Sequence, residues 1–209
     1  NEAINTYKVL YDWGRNFNNV ETHISIAKAI MDWAWILYHK EEKYSDAIKV
    51  LNKLIETSPK TQNIELQILI LKAKFTKATI YSQDLDEYEK AIATCQNIFE
   101  NGHEIKDKEA QKYVALALFM KATITANDLE LFEDAISAYK DLYDWGKELN
   151  NNTVQKQIAR GLFNQAGIYH ANLKNSQEAL KCYDLLYSWG KDIKNDDVQD
   201  VIRVSYYNA

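Results

Sequence analysis

Apolar and small residues recur along this chain with a period of 44 residues. Within each copy they follow an alanine at offsets of about four, seven and eight residues, which is the spacing of one stripe along an α-helix. The alanines that mark the period are Ala3, Ala47, Ala91, Ala135 and Ala179. The position seven residues later is always Leu or Ile: Leu10, Leu54, Ile98, Leu142 and Leu186. The stripe predicts one helix of about 14 residues in each copy.

A second apolar pattern follows in every copy and covers a wider arc, which predicts a longer helix of about 19 residues. One of its positions is always alanine, at Ala34, Ala78, Ala122 and Ala166. We expect these small side chains to let a neighbouring helix approach closely. The predicted helices are 1–13, 20–39, 43–57, 62–82, 87–100, 106–126, 131–149, 153–171, 176–192 and 196–207. No segment alternates apolar and polar residues long enough to predict a strand.

The ends of the predicted helices carry residues that are typical of helix termini. A glycine follows the marker alanine by eleven residues in four copies, at Gly14, Gly102, Gly146 and Gly190. We expect these glycines to adopt a positive φ and close the shorter helix. In the second copy Ser58 replaces the glycine, and Pro59 after it cannot extend the helix. At the other end, Asp86, Asp128 and Ser176 are the expected N-caps.

A supersecondary unit that repeats in tandem at this period is typical of a solenoid. We therefore predict an all-α fold, an α-solenoid of antiparallel helix pairs that forms one continuous array over residues 1–209. The repeat pattern persists to both edges, at Ile4, Leu10, Val201 and Tyr206. Terminal repeats of a solenoid usually have a polar outer face. We therefore expect a piece of a longer array, with end-to-end self-association as a possible property.

The repeat resembles the tetratricopeptide repeat family. Ala135–Tyr139 and Ala179–Tyr183 match the A-x3-F part of the family pattern, and Leu118–Ala122 is similar to its W-x2-L-G part. The period departs from the family's usual 34 residues, because both helices are longer. The resemblance implies a right-handed superhelix whose longer helices line a concave groove for peptides or proteins. It implies nothing catalytic.

Composition narrows the choice of partner. The net charge is −5 and no basic block is present, which argues against nucleic acid and anionic membranes. No apolar run is long enough to predict a membrane span. The four histidines and the cysteines Cys95 and Cys182 form no metal-ligand or redox motif, and we interpret both cysteines as small buried apolar residues. No cofactor is predicted, and the compartment stays open with the cytoplasm favoured.

The tryptophans divide into two sets. Trp13, Trp145 and Trp189 share one repeat position, which predicts a packing role at the end of the shorter helix. Trp33 and Trp35 occur in one copy only, and their equivalents elsewhere are mostly polar. We interpret these two as partly exposed and as candidate binding hot spots. The equally weighted alternative is that they cover an adjacent repeat.

If the helices stack as the resemblance to tetratricopeptide repeats implies, one set of positions on the longer helix lines a concave groove. The cations Lys28, Lys72 and Arg160 share one position, three residues before an aromatic position that includes Phe119. A row of cations beside aromatic rings suits a peptide with acidic and apolar side chains. The candidate partner-binding residues are Lys28, Trp33, Trp35, Lys72, Thr79, Thr123, Arg160 and His170. The alternative is that the aromatic residues belong to the core and the cations are simply solvated.

The leading functional hypothesis is a non-enzymatic scaffold module for protein–protein or peptide binding. The alternative is a structural spacer or self-assembling element within a larger multidomain protein. The two differ in what the exposed surface does, because the first requires a preformed groove and the second requires apolar surface at the ends of the array.

Overall fold

Ten α-helices and no β-strand make up the residues that the computed structural model describes, which are 2–14, 19–57 and 62–207. The helices are α1 (Glu2–Gly14), α2 (Val20–His39), α3 (Tyr44–Thr57), α4 (Ile64–Gln83), α5 (Tyr88–Gly102), α6 (Lys108–Asn127), α7 (Phe132–Gly146), α8 (Asn152–Gly167), α9 (Ser176–Gly190) and α10 (Asp196–Ser205). The all-α prediction is confirmed, and long helices alternate with short ones as the repeat predicts. Ser58 and Pro59 lie outside the described residues.

One departure from the predicted helices lies at the end of α8. The last turn, Ile168–Asn172, is π-helical, so the long helix of the fourth copy ends in a wider turn than its equivalents. Gly167 stands at the junction between the two helical forms. A π-helical turn holds one more residue per hydrogen-bonded ring than an α-helical turn. The apolar periodicity of the sequence did not predict this segment.

The chain divides into two compact units, 1–94 and 95–209. In the first unit α1 packs on α2, α2 on α3 and α3 on α4, and the long helices α2 and α4 pack on each other. In the second unit α6 to α10 pack in the same order, and α8 contacts both α6 and α10. Helices therefore pack mainly on their neighbours along the chain. The single continuous array over 1–209 stays a prediction.

The small repeat positions form the contact surfaces inside both units. Ala47, Ala91 and Ala135 are fully buried, as is Ala78 on α4 and Ala122 on α6. The Leu and Ile position of the short helices is also buried, at Leu54, Ile98, Leu142 and Leu186. Burying such side chains stabilises a fold by about 1.5–3 kcal/mol each. The expectation that the alanine positions are small because helices approach there is therefore supported by their burial.

The N-caps that the structure shows are not the predicted residues, and most of them belong to the long helices. Each long helix begins after an Asn or Asp whose side chain accepts hydrogen bonds from the first backbone N–H groups: Asn19, Asn63, Asp107, Asn151 and Asn195. Asp128 instead follows α6 as its C-cap. Ser176 is the first residue of α9, and Asn175 caps that helix. Asp86 lies in the turn before α5 with a positive φ. The predicted caps Asp86, Asp128 and Ser176 were therefore wrong.

The glycines at the ends of the short helices do not serve as left-handed caps. No glycine among the described residues has a positive φ, so that prediction was wrong. Gly190 instead lies where the next long helix packs. A Cβ added there would be 2.8 Å from Ile202 Cδ1 and 3.0 Å from Val198 Cγ1. The glycine is needed because α10 leaves no room for a side chain.

Tight left-handed turns join each long helix to the following short helix. The residues with positive φ are Glu42, Asp86, Glu130 and Lys174, at 51°, 52°, 54° and 53°. These positions are 44 residues apart, and none is glycine. The next residue donates its N–H to a carbonyl six residues back, as Leu131 does to Thr125 at 2.9 Å. The turn geometry therefore repeats although the residue type does not.

Replacing Glu130 with glycine is expected to raise the free energy of unfolding by about 0.5 kcal/mol. A residue with a Cβ atom is strained at a positive φ, whereas glycine is not. Replacing it with valine should lower that free energy by about 1 kcal/mol, because a β-branched residue tolerates this φ least. Urea denaturation followed by circular dichroism measures both changes. Glu133→Gly, on the first turn of α7, is the control and should destabilise. Equal stability of the Gly and Val variants at position 130 would contradict the argument.

Candidate functional site

Five of the predicted partner-binding residues lie on the long helices of the first unit, and Lys28, Lys72 and Thr79 are the three that are not tryptophan. Lys28 is exposed and pairs with Glu65 of α4, with 2.7 Å between Nζ and Oε1. Lys72 is also exposed, on α4. Thr79 is half-buried and donates its hydroxyl to the carbonyl of Phe75 at 3.0 Å. Both lysines are therefore exposed, while the Thr79 hydroxyl is already bound to its own helix.

The two tryptophans unique to the first copy differ sharply in exposure. Trp35 is 50% exposed, with Lys40 Nζ 5.5 Å from its ring centroid. Trp33 is only 4% exposed and belongs to the core of the first unit. The expectation that Trp33 is partly exposed was therefore wrong. The residues at the same repeat position in other copies are polar, which suggested that the position is exposed. Two of them, Lys77 and Lys121, are half-buried, so another reason must explain why they are polar.

That reason is a polar contact between the paired helices. Lys77 donates to Asn52 Oδ1 at 2.8 Å, and Lys121 donates to Gln96 Oε1 at 2.9 Å. Both bonds join the same two repeat positions, 25 residues apart. Burial lowers the pKa of Lys77 from its ordinary value, against the opposing effect of nearby Glu56. A lysine at this position is therefore a helix-packing residue and not a solvated one.

In the first copy, Lys8 stands at the repeat position of Asn52 and Trp33 stands at that of Lys77. Both residues line a groove on the surface of the first unit. Lys8 Nζ is 5.8 Å and Lys53 Nζ is 5.3 Å from the Trp33 ring centroid. The groove has a volume of about 380 Å³. We call it the Trp33 groove, and its lining residues are Lys8, Trp33, Leu37, Glu41, Lys43, Asp46, Lys49, Val50 and Lys53. Sequence reasoning missed it, although Trp33 opposite Lys8 is visible once the repeats are aligned.

In the second unit the structure brings Arg160 of α8 onto Phe119 of α6. The guanidinium carbon lies 4.6 Å from the ring centroid, which is a cation–π geometry. Arg160 is exposed and Phe119 is half-buried against the core. A planar guanidinium stacked on a ring keeps its N–H donors free to face solvent. The pair is therefore an exposed cation held in a defined orientation.

A small polar network lies beside this pair. The Tyr139 hydroxyl is 3.2 Å from Thr123 Oγ1 and accepts from Asn164 Nδ2 at 3.0 Å. Thr123 also donates to the carbonyl of Phe119 at 2.9 Å. Thr123 is therefore occupied in joining α6 to α7. The expectation that it faces a ligand finds no support in these contacts.

A second apolar depression lies between α8 and α10. Phe163, Asp200, Val201 and Val204 line a cavity of about 190 Å³. Phe163 follows Arg160 by one helical turn, so the two side chains lie on the same face of α8. Val204 occupies the repeat position equivalent to Arg160 and is exposed. The long-helix face of the second unit therefore combines one cation with an apolar recess.

His170 lies away from this cluster, in the π-helical turn. It is exposed, and its Nδ1 is 3.5 Å from Ser176 Oγ. Because this contact belongs to the turn between α8 and α9, nothing links His170 to Arg160. The sequence placed both residues in one groove, and the structure brings together only Arg160, Phe119 and Phe163.

The shared tryptophan position has the packing role that the sequence predicts. Trp145 Nε1 donates to the carbonyl of His103 at 3.2 Å, and Trp189 Nε1 donates to that of Lys147 at 3.2 Å. Each ring also meets an aromatic ring of the preceding copy edge-on, as Trp145 meets Phe99. The prediction is confirmed for both residues. The Trp13 side chain lies outside the described residues.

Reactive chemistry is limited in the part of the chain that the structure describes. No group of three or more His, Cys, Asp or Glu side chains there could hold a metal ion. Cys95 and Cys182 are free and buried, and burial raises the pKa of the two thiols to about 12 and about 11. Both thiols are therefore protonated near neutral pH. Of the helices described, none has the length and apolar character needed to cross a bilayer.

Comparison with known proteins adds no family assignment. No family model, curated protein or solved structure matches this chain.

Proposed function

We propose that this chain is a non-enzymatic module that binds a protein or peptide partner. In this proposal the two units belong to one α-solenoid of antiparallel helix pairs, a right-handed superhelix resembling tetratricopeptide repeats. The 44-residue period and the packing of neighbouring helices inside each unit support it. An array of this kind presents a preformed surface, so a partner loses little additional entropy in the protein when it binds.

The observation that carries the proposal is the Arg160–Phe119 pair. Its cation is exposed and held 4.6 Å above a ring, and an apolar recess lined by Phe163 lies one helical turn away. Arginine and aromatic residues are the side chains most enriched among binding hot spots. An acidic side chain would meet the guanidinium while a neighbouring apolar side chain enters the recess. The favoured partner is therefore a peptide segment that combines acidic and apolar residues.

Substitution of Arg160 by alanine tests this assignment. The probe is an array of 12-residue peptides that combine Glu or Asp with Leu or Phe, with a matched set in which Lys replaces the acidic residues. We expect binding to the acidic set and a loss of about tenfold in affinity on Arg160→Ala. The control is Lys140→Ala, which removes an exposed cation from α7 and should change nothing.

Equal binding by wild type and Arg160→Ala would assign the partner to another surface. The absence of binding to every peptide in both sets would contradict the proposed function itself. Self-association is the alternative role, favoured by the exposed Val204, Tyr206 and Tyr207 at and beyond the end of α10. Sedimentation of the same samples over a range of concentrations separates the two, because a binding module remains monomeric in the absence of peptide.

A further inference from the structure

The Trp33 groove differs from the equivalent positions of the later copies in both shape and charge. Where Lys77 binds Asn52 and Lys121 binds Gln96, the first copy has an indole ring facing a lysine. The floor of the groove is apolar, because Trp33, Leu37 and Val50 are all buried residues that line it. An apolar floor of this size accommodates one large side chain of a ligand together with its adjoining backbone.

The rim of the groove is cationic. Four lysines and two carboxylates line it, in a chain whose net charge is −5. Two of the lysines form ion pairs on the rim, Lys43 with Glu41 at 2.7 Å and Lys49 with Asp46 at 2.9 Å. Lys8 and Lys53 extend over the Trp33 ring from α1 and α3. The lining therefore contains more lysines than carboxylates, and this excess of positive charge attracts anionic ligand groups.

The Trp33 side chain supplies a second, independent observation. Its Nε1 is buried, and no hydrogen-bond partner for it exists among the described residues. A buried N–H without an acceptor is costly, and native structures rarely leave one unsatisfied. Trp145 and Trp189, at their own repeat position, each have a carbonyl acceptor. Trp33 therefore differs from these two tryptophans in its polar contacts as well as in its repeat position.

From these observations we propose that the Trp33 groove binds an acidic peptide segment of a partner protein. One apolar side chain of the segment packs on Trp33, Leu37 and Val50, and the carboxylates on either side of it pair with Lys8 and Lys53. This assignment rests on the proposed function as a binding module, and it adds a second site in the first unit. The site is separate from the long-helix surface around Arg160, because α1 and α3 form its walls.

The test uses the full chain and a fluorescein-labelled, amidated peptide with one Phe between two pairs of Glu. A peptide with Lys in place of Glu is the charge control. We expect Lys8→Gln and Lys53→Gln each to weaken binding of the acidic peptide about fivefold, and the double variant more than twentyfold. The affinity should also fall as salt increases. Lys140→Gln removes the lysine at the repeat position of Lys8 in the second unit, and it should bind as wild type does.

Trp33→Phe puts a smaller ring in the floor of the groove, so it should weaken binding about fivefold. Because that change also affects the core, a second variant is needed. Lys8→Asn combined with Trp33→Lys rebuilds the contact seen between Asn52 and Lys77. It should fold and lose binding of the acidic peptide.

Unchanged binding in the Lys8 and Lys53 variants, or equal binding of the Lys peptide, would overturn this site. If those variants bind normally while Arg160→Ala does not, the groove assignment fails and the proposed function stands. A third outcome is that the labelled acidic peptide binds neither wild type nor any variant, while peptides of the array do bind. That outcome also excludes the groove as the binding site. If the array also gives no binding, the proposed function fails with it.

Discussion

Replacing Gly146 with alanine is expected to lower the free energy of unfolding by about 1–3 kcal/mol, although alanine is the better helix former. Gly146 ends α7, and α8 packs directly against it. A Cβ at this position would lie 2.7 Å from Val154 Cγ1 and 3.0 Å from Ile158 Cδ1. Both side chains are buried in a close-packed core, so neither can move away without disturbing other contacts.

Gly167→Ala is the matched control for this prediction. Nothing lies within 4 Å of a Cβ built at Gly167. Without a steric clash, the higher helix propensity of alanine decides the effect. Gly167→Ala should therefore raise the free energy of unfolding by about 0.5–1 kcal/mol. Urea denaturation of the two variants beside wild type measures both effects. Opposite signs would show that close packing, and not helix preference, decides the effect at Gly146. A Gly146→Ala variant as stable as wild type would mean that α7 and α8 approach less closely than described.

The same pair of glycines shows what the sequence could predict and what it could not. The apolar stripe predicted the helices of both units to within a few residues, because 3.6-residue periodicity depends on the chain alone. The role of Gly146 depends on the side chains of α8, which no local pattern describes. A glycine at a helix end is compatible with a left-handed cap and with close packing. Only the contact with Val154 and Ile158 separates the two.

The left-handed turns were hidden for a related reason. Glu42, Glu130 and Lys174 are not residues that favour a positive φ, so their type gave no indication of the turn. The prediction of partial exposure for Trp33 was wrong because it depended on the polar residues at the same repeat position. Lys77 there is half-buried and bonded to Asn52. Whether a polar residue is exposed depends on the side chain that packs against it. For Lys77 that side chain is Asn52, which is 25 residues away in the sequence, so the local pattern does not reveal it.

The caps of the long helices are different, because the sequence did contain the information. An Asn or Asp stands immediately before every long helix, at intervals of 44 residues. The predicted caps Asp86, Asp128 and Ser176 all precede short helices. The structure adds a second role for this repeated Asn or Asp position, which the sequence did not predict. In the second unit the side chain of the capping asparagine also forms a hydrogen bond to another helix.

Asn151→Ala is expected to lower the free energy of unfolding by about 2–4 kcal/mol, more than the loss of a helix cap explains. The Asn151 side chain is buried and accepts from the N–H of Thr153 at 3.1 Å, which caps α8. Its amide also donates to the carbonyl of Lys108 on α6 at 2.8 Å and lies 3.3 Å from Gln111 Oε1. The substitution removes the cap and leaves the Lys108 carbonyl without this donor.

Asn151→Asp separates the two contributions, because aspartate caps a helix as well as asparagine does but cannot donate to Lys108. We expect a loss of about 1–2 kcal/mol from this change alone. The control is the reverse substitution at Asp107, which caps α6 by accepting from the N–H of Glu109 at 2.7 Å. Asp107→Asn should change stability by less than about 0.5 kcal/mol.

Urea denaturation of the three variants measures the difference. If Asn151→Asp were as stable as wild type, the bond to α6 would contribute nothing and Asn151 would be a cap alone. A loss confined to the Asn151 variants would mean that each such asparagine fastens its helix to the preceding copy, a role that Asn195 repeats with the carbonyl of Asn152 at 2.9 Å.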